Sequence, residues 1–356
     1  MKQLMMKGFT LVELMVAIGL SSFLLLGAFQ VFDANFRSYN LVISDSYIQD
    51  TTRIARAIIT KDIHLADNLG CKIRLQDYDG DAIFGSKEPV PSGANPNVTN
   101  PQFDLIAFDG VLLQDNIVAD QKISSLVDFH SANDNRTVEE GTDVLTLSRA
   151  TGFTQQLIAH SSSNAASHSV TITGREFSRG DYLLIRSCTG QIQSEIFEVL
   201  DVVSVGKNQL LTVNKPVYGT YAIDGQQLMA TSFYRIEAVS YFISQSVTSS
   251  QKEERLSLFR KVNNQPSQEF LAGVDDLQVT YEQEQQGGVG FSGSSISRGA
   301  LLPPSMLMLN LVVRSDQTES QIAFAGPESG KTSGDVYGDK RLRRLVGFSA
   351  KLRNKS

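Results

Sequence analysis

The residues of this chain best suited to chemistry are one isolated carboxylate, two cysteines and a few charged or glycine-rich clusters. Glu13 stands inside an apolar stretch, where an ionised carboxylate costs about 2.5 to 3.5 kcal/mol and therefore requires a counter-charge. Cys71 and Cys188 are too few for a thiolate zinc cage and suffice for one disulfide in an oxidising compartment; two unconnected buried thiols are the alternative. His64, His130, His160 and His168 are scattered and read as exposed polar groups. With no His-x-x-x-His or Cys-x-x-Cys spacing and no Gly-x-Ser-x-Gly elbow, no catalytic or metal residue is assigned, and the chain is read as assembling rather than catalysing.

Other clusters imitate sites without their context. Ala325 to Thr332 (AGPESGKT) fits a relaxed phosphate loop, yet a turn-like SGDVYG follows where a helix should begin, so the segment reads as a loop before the last strand. Asp77, Asp79, Asp81 and Glu88 occupy the first, third, fifth and twelfth positions of a calcium loop. Ala82 stands where that loop needs glycine, which favours an acidic surface loop. Gly287-Gly288-Val289-Gly290 lacks a following helix, so no dinucleotide cofactor is expected. Lys340-Arg341-Leu342-Arg343-Arg344 alternates with apolar residues as a strand with one wet face does, and a net charge of −6 argues against a nucleic-acid partner.

The element that positions Glu13 is the N-terminal run MKQLMMKGFTLVELMVAIGLSSFLLLGAFQVFD. From Leu14 to Phe32 it carries no charge. A helix of about 21 residues from Phe9 rises about 31 Å, the thickness of a bilayer core. Lys2 and Lys7 precede the run while Asp33 and Arg37 follow it, which places the N-terminus in the cytoplasm and exports the remainder. A cleaved secretory signal is the plain alternative. Against it, the run exceeds the usual signal core, passes without turn residues into a polar helical segment, and contains a glutamate that a signal peptide does not use.

The string Lys7-Gly8-Phe9-Thr10-Leu11-Val12-Glu13 resembles the class III signal of type IV prepilins. That resemblance implies a cut between Gly8 and Phe9 by a prepilin peptidase, N-methylation of Phe9, and an assembly role for Glu13. Cleavage creates an α-amine at Phe9, and a carboxylate among packed helices offsets part of its desolvation by pairing with the amine of an incoming neighbour. Residues 9 and 13 are also one helical turn apart, so a pair within one subunit remains open.

No proline occurs before Pro89, so the helix continues to about residue 65 with Gly19 and Gly27 as its only soft points. Phe36, Ile43, Tyr47, Ile54 and Ile58 recur at helical spacing and are expected to face the globular domain, leaving filament contacts to residues 9 to 32. Strands are expected at Asp143 to Ser148, Asp181 to Ser187, Glu195 to Val205, Tyr234 to Ser244, Arg255 to Val262, Leu277 to Glu282 and Met306 to Arg314. Gly85 to Gln102 and Gln283 to Gly299 read as loops. The fold class is α+β, type IV pilin-like: a long helix on an elaborated antiparallel sheet. Its parts are a leader (1–8), a helix (9–66, of which 9–32 lie in the membrane and 33–66 are amphipathic) and an exported β-rich domain (67–356).

The stretches LADNLGC (65–71), GTDVLTLSRA (141–150), DYLLIRSCTGQIQSEIFEV (181–199), EFLAGVDDLQVTYE (269–282) and the ending LRRLVGFSAKLRNKS resemble the PilW family of minor pilins. The resemblance implies that Cys71 and Cys188 form a disulfide; closing a loop of about 117 residues, it would stabilise by on the order of 4 to 5 kcal/mol. It further implies a subunit that waits in the inner membrane, joins other minor pilins, and helps start and cap a type IV pilus containing the major pilin and a tip adhesin. Twitching motility, adhesion or DNA uptake would then belong to the whole fibre. A minor pseudopilin of type II secretion and an exported adhesin or hydrolase on a pilin-type anchor are the rival readings.

Overall fold

The computed structural model describes residues 10–66, 110–126, 134–160, 168–174, 177–186, 195–214, 232–247, 255–263, 265–284, 290–296, 304–318 and 341–352. Gly8, Phe9, Cys71, Cys188, the acidic cluster at Asp77, Asp79, Asp81 and Glu88, and the AGPESGKT segment lie outside them. The chain has the expected α+β, pilin-like form: one long N-terminal helix followed by an antiparallel β domain.

Helix α1 (Leu11–Leu65) runs unbroken for 55 residues, about 82 Å, through both Gly19 and Gly27. It contains no proline, and its two glycines are too far apart to break it together. Ala66 ends it in an extended conformation, its N–H donating back to the Asp62 and Ile63 carbonyls.

Strands β1 (Val111–Gln114), β2 (Val144–His160), β3 (Ser169–Thr173), β4 (Tyr182–Arg186), β5 (Glu195–Val205), β6 (Asn208–Val213), β7 (Ser232–Gln245), β8 (Leu256–Val262) and β9 (Gln268–Ala272) form one nine-stranded sheet. Its order is β1-β2-β3-β6-β5-β4-β7-β8-β9, and β2 also pairs with β7, so six strands close on themselves as a small antiparallel barrel. Long β2 makes this possible: Leu145 to Gln156 pair with β7 and Leu157 to His160 with β3, with irregular register at Thr151/Gln155 and again at Leu157/Ala159 that lets the strand bend from one partner to the other. Alternating residues fill the barrel, including Val170 and Ile172, Leu183 and Ile185, and Leu211 and Val213, with Phe197 and Phe233 between them.

The second sheet has four strands in the order β11-β10-β12-β13, from β10 (Val274–Glu284), β11 (Gly290–Gly293), β12 (Met306–Thr318) and β13 (Arg341–Lys351). Strand β11 lies inside the segment expected to be a loop; pairing with Tyr281–Glu284 recruits those glycines and serines into a strand. One continuous core joins α1 to both sheets, with Ile48, Ala55, Ile59 and Ile63 of the helix against Leu145, Tyr241, Leu277, Leu309 and Leu311. On the opposite face of the large sheet, Phe242 and Phe259 stack at 5.7 Å under the segment containing α2 (Ile123–Leu126).

The two sheets meet at Asp143. Its N–H donates to the Leu277 carbonyl, and its carboxylate accepts from the N–H groups of Val279 (2.7 Å) and Asn116 (2.9 Å). Burial pushes this carboxyl up to about 7, with nearby Asp115 adding to the rise against the two N–H donors. A carboxyl whose ordinary value of 3.8 is raised on folding favours the folded state at low pH and loses that contribution as pH climbs through about 7. The urea midpoint is therefore expected to fall between about pH 5 and pH 8, and to fall less in Asp143→Asn; equal slopes for both proteins contradict the assignment.

The turn from β9 into β10 depends on Gly273. Its φ is +76°, and a Cβ there would meet the Arg314 carbonyl oxygen at 2.9 Å. Gly273→Ala is expected to destabilise the domain by about 1 to 3 kcal/mol, read as a lower urea midpoint at unchanged slope.

Candidate assembly helix

The helix begins at its expected functional residue. Thr10 is the N-cap and Glu13 the third helical residue of a capping box: the Glu13 N–H donates to Thr10 Oγ1 (3.3 Å), while the Thr10 N–H and hydroxyl both donate to Glu13 Oε2 (3.0 Å each). The carboxylate in this isolated subunit thus folds back on its own helix terminus, which satisfies hydrogen bonds but supplies no full counter-charge.

From Leu11 to Phe32 every residue of α1 is exposed, including large side chains such as Phe23 at 77% and Phe29 at 74%. Among the described residues α1 is the one helix long and apolar enough to cross a membrane, and none of its apolar window is buried. Ser22 donates its hydroxyl to the Ile18 carbonyl (2.8 Å), so this hydroxyl is satisfied within the helix. The first ion pair, Asp33 with Arg37 (2.7 Å), marks the end of the run.

The domain-facing seam of the helix differs from the one expected. Phe36, Ile43 and Ile54 are 55%, 40% and 43% exposed, and Ile58 is half-buried; only Tyr47 of that set reaches the domain by hydrogen bond, its hydroxyl donating to the Ala272 carbonyl (3.2 Å). The buried seam is Ser44, Ile48, Thr51, Ala55, Ile59, Asp62 and Ile63, turned by one residue, or about 100°, from the expected stripe. Large apolar side chains occur on both faces, so they alone do not distinguish the buried one. The seam mixes Ile48, Ile59 and Ile63 with small Ser44, Thr51 and Ala55 and with the charged Asp62. An uninterrupted three-four spacing through Ser44, Thr51 and Ala55 was the available signal.

Asp62 is the residue that sequence reasoning missed. Only 4% exposed, it pairs with Arg149 of β2 and Arg260 of β8 (3.2 Å) and accepts from the Tyr241 hydroxyl of β7 (2.6 Å). Arg149 and Arg235 also hold Glu237 at 3.2 and 2.7 Å. Burial and the adjacent Asp62 hold the Tyr241 phenol above its ordinary value, so it remains a donor to that carboxylate. Lower on the helix, Asp45 pairs with Arg344 of β13 (2.7 Å).

The basic tail also differs from expectation. Its strand forms, but Arg341 and Arg343 are buried, with Arg343 Nε 2.7 Å from Asp275 and Arg314 Nη1 3.4 Å from the same carboxylate, so these charges serve the domain interior rather than a wet face. His64, His160 and His168 are half-buried rather than exposed, and His64 Nδ1 lies 2.8 Å from the Lys351 carbonyl oxygen. Among the described residues no group of three or more metal-ligating side chains occurs.

Residues 5–29 match the prokaryotic N-terminal methylation motif, which is the prepilin-type class III signal. A search of curated proteins returned no match. The motif and the exposed apolar helix together support a type IV pilin-like or pseudopilin-like protein, anchored in a membrane, processed by a prepilin peptidase and assembled with other pilins. The motif points to a structural rather than an enzymatic role.

Proposed function

We propose that this chain is a minor pilin of the PilW type, which primes assembly of a type IV pilus and is incorporated at or near its tip. It is cut between Gly8 and Phe9, methylated on Phe9, and held in the inner membrane with its N-terminus in the cytoplasm and residues 67–356 in the periplasm. Cys71 and Cys188 form its disulfide. Assembly pairs Glu13 with the Phe9 amine of a neighbouring subunit.

The observation that carries this reading is the unpartnered state of the helix. Among the described residues, about 33 Å of apolar surface from Leu11 to Phe32 has no element of its own domain against it, and its one carboxylate is held by a helix cap alone. Lipid covers such a surface before assembly and other helices cover it afterwards; a soluble monomer covers it with nothing. The large β domain, with its six-stranded barrel, suits a fibre end, where bulk meets fewer neighbours than in the shaft. Mass spectrometry of protein recovered from sheared pili tests the reading. A mature N-terminal methyl-phenylalanine at residue 9 together with co-purifying minor pilins supports it; retention of residues 1–8, or absence from pili with loss of protein secretion on gene deletion, sinks it.

A further inference from the structure

A groove of about 590 Å³ lies beside α1 where the helix crosses β13. Ala57 and Val346 make its apolar floor, and Arg53, Arg56 and Arg344 line it without any acidic residue, on a chain whose net charge is −6. Asp50 holds Arg53 (3.1 Å) and Asp45 holds Arg344 (2.7 Å) from outside the groove, whereas Arg56 makes no ion pair or hydrogen bond with any described residue. Thr52 and Thr60 add short polar side chains to the same lining.

Two features define what fits. Strand β13 is the last in its sheet, with no described strand on its outer side, so its backbone edge is a template for an added strand. Arginine forks beside it select carboxylates. Lipid headgroups are out of reach, because Arg53 stands 21 residues beyond Phe32, about 32 Å above the end of the uncharged run and several Debye lengths from the bilayer.

From this charge pattern and the edge position of β13 among the described strands we infer that the groove receives an extended acidic segment of a neighbouring subunit. The segment adds a strand to β13, sets carboxylates against Arg56 and its two companions, and lays small apolar side chains on Ala57 and Val346. Alternate side chains of a strand recur every ~6.7 Å, so one face of a short segment spans the groove. This inference rests on the pilin-type assembly proposed above and names one lateral contact within it.

The test uses the full processed chain in detergent and a fluorescent peptide alternating glutamate and valine, with glutamine–valine and lysine–valine peptides and a thymidine oligonucleotide as comparisons. The acidic peptide is expected to bind with an affinity that falls with salt, and Arg56→Glu, an exposed change that leaves the core intact, to weaken it about tenfold or more. Ala57→Trp fills the floor and is expected to do the same. Equal binding of the glutamine peptide, an unchanged affinity in Arg56→Glu, or an oligonucleotide that competes with the peptide overturns the inference. A chain that begins at Phe9 and is recovered from pili, yet ignores the acidic peptide, sinks the groove alone; a chain that keeps residues 1–8 sinks the assembly reading.

Discussion

Glu13→Ala is expected to be cut after Gly8 as before, to remain in the membrane, and to fall at least about tenfold in sheared pili relative to the membrane fraction. Alanine removes a membrane penalty of about 2.5 to 3.5 kcal/mol, so anchoring improves while the attraction to a neighbour's α-amine disappears. A charge pair in a low-dielectric helix core outweighs a tenfold bias, which is about 1.4 kcal/mol. The capping box supplies the rival explanation, that Glu13 merely finishes its own helix, and two further variants separate the two. Glu13→Gln keeps an acceptor for the Thr10 donors but no charge, and is expected to fail like alanine. Thr10→Val keeps the charge but loses the hydroxyl that both donates to and accepts from Glu13; it is expected to assemble nearly as the unaltered chain does. Quantitative mass spectrometry of pili and membranes reads all three. Normal incorporation of Glu13→Gln, with loss in Thr10→Val, would falsify the pairing role and leave Glu13 as a cap.

What was legible in the sequence follows the strength of the local signal. The helix was plain because nineteen uncharged residues and an absence of proline leave little else for residues 14–32 to do. Seven strands were readable where β-branched and aromatic residues cluster, as in YRIEAVSYFIS within β7. Strands β1, of four residues, and β9, of five, were missed, and each exists because a longer neighbour pairs with it; β4 is as short as β9 but was readable from its apolar YLLI run. The alternation of NQLLTV in β6, just after the Gly206–Lys207 turn, was readable as a hairpin and was not read. Barrel closure was out of reach because it depends on one strand, β2, choosing two partners at different points along its length. The functional helix divides the same way. Glu13 stood out against apolar neighbours, whereas Asp62 lay among charged and polar residues of the last helical turns, where a carboxylate is unremarked until the arginines from β2 and β8 arrive from 87 and 198 residues away.

Asp62→Ala is expected to lower the thermal unfolding temperature of the detergent-solubilised chain by on the order of 10 °C, the equivalent of about 3 to 5 kcal/mol. The loss arises less from the missing attraction than from what remains. Arg149 and Arg260 stay partly buried with one carboxylate fewer, and the enclosed Tyr241 hydroxyl loses its acceptor. Asp62→Asn keeps an acceptor for that hydroxyl yet leaves the same excess of positive charge, so its loss is expected to lie between alanine and the unaltered chain. A triple replacement, Asp62→Leu with Arg149→Met and Arg260→Met, removes every orphan charge at similar volume and is expected to recover most of the stability. The recovery distinguishes a pair that fixes where the helix sits from one that merely holds it down: the triple variant can be stable while the end of α1 loses its angular register against β2, β7 and β8. An Asp62→Ala protein with unchanged unfolding temperature would show that the cluster is solvated, with the apolar seam from Ile48 to Ile63 alone holding helix to sheet.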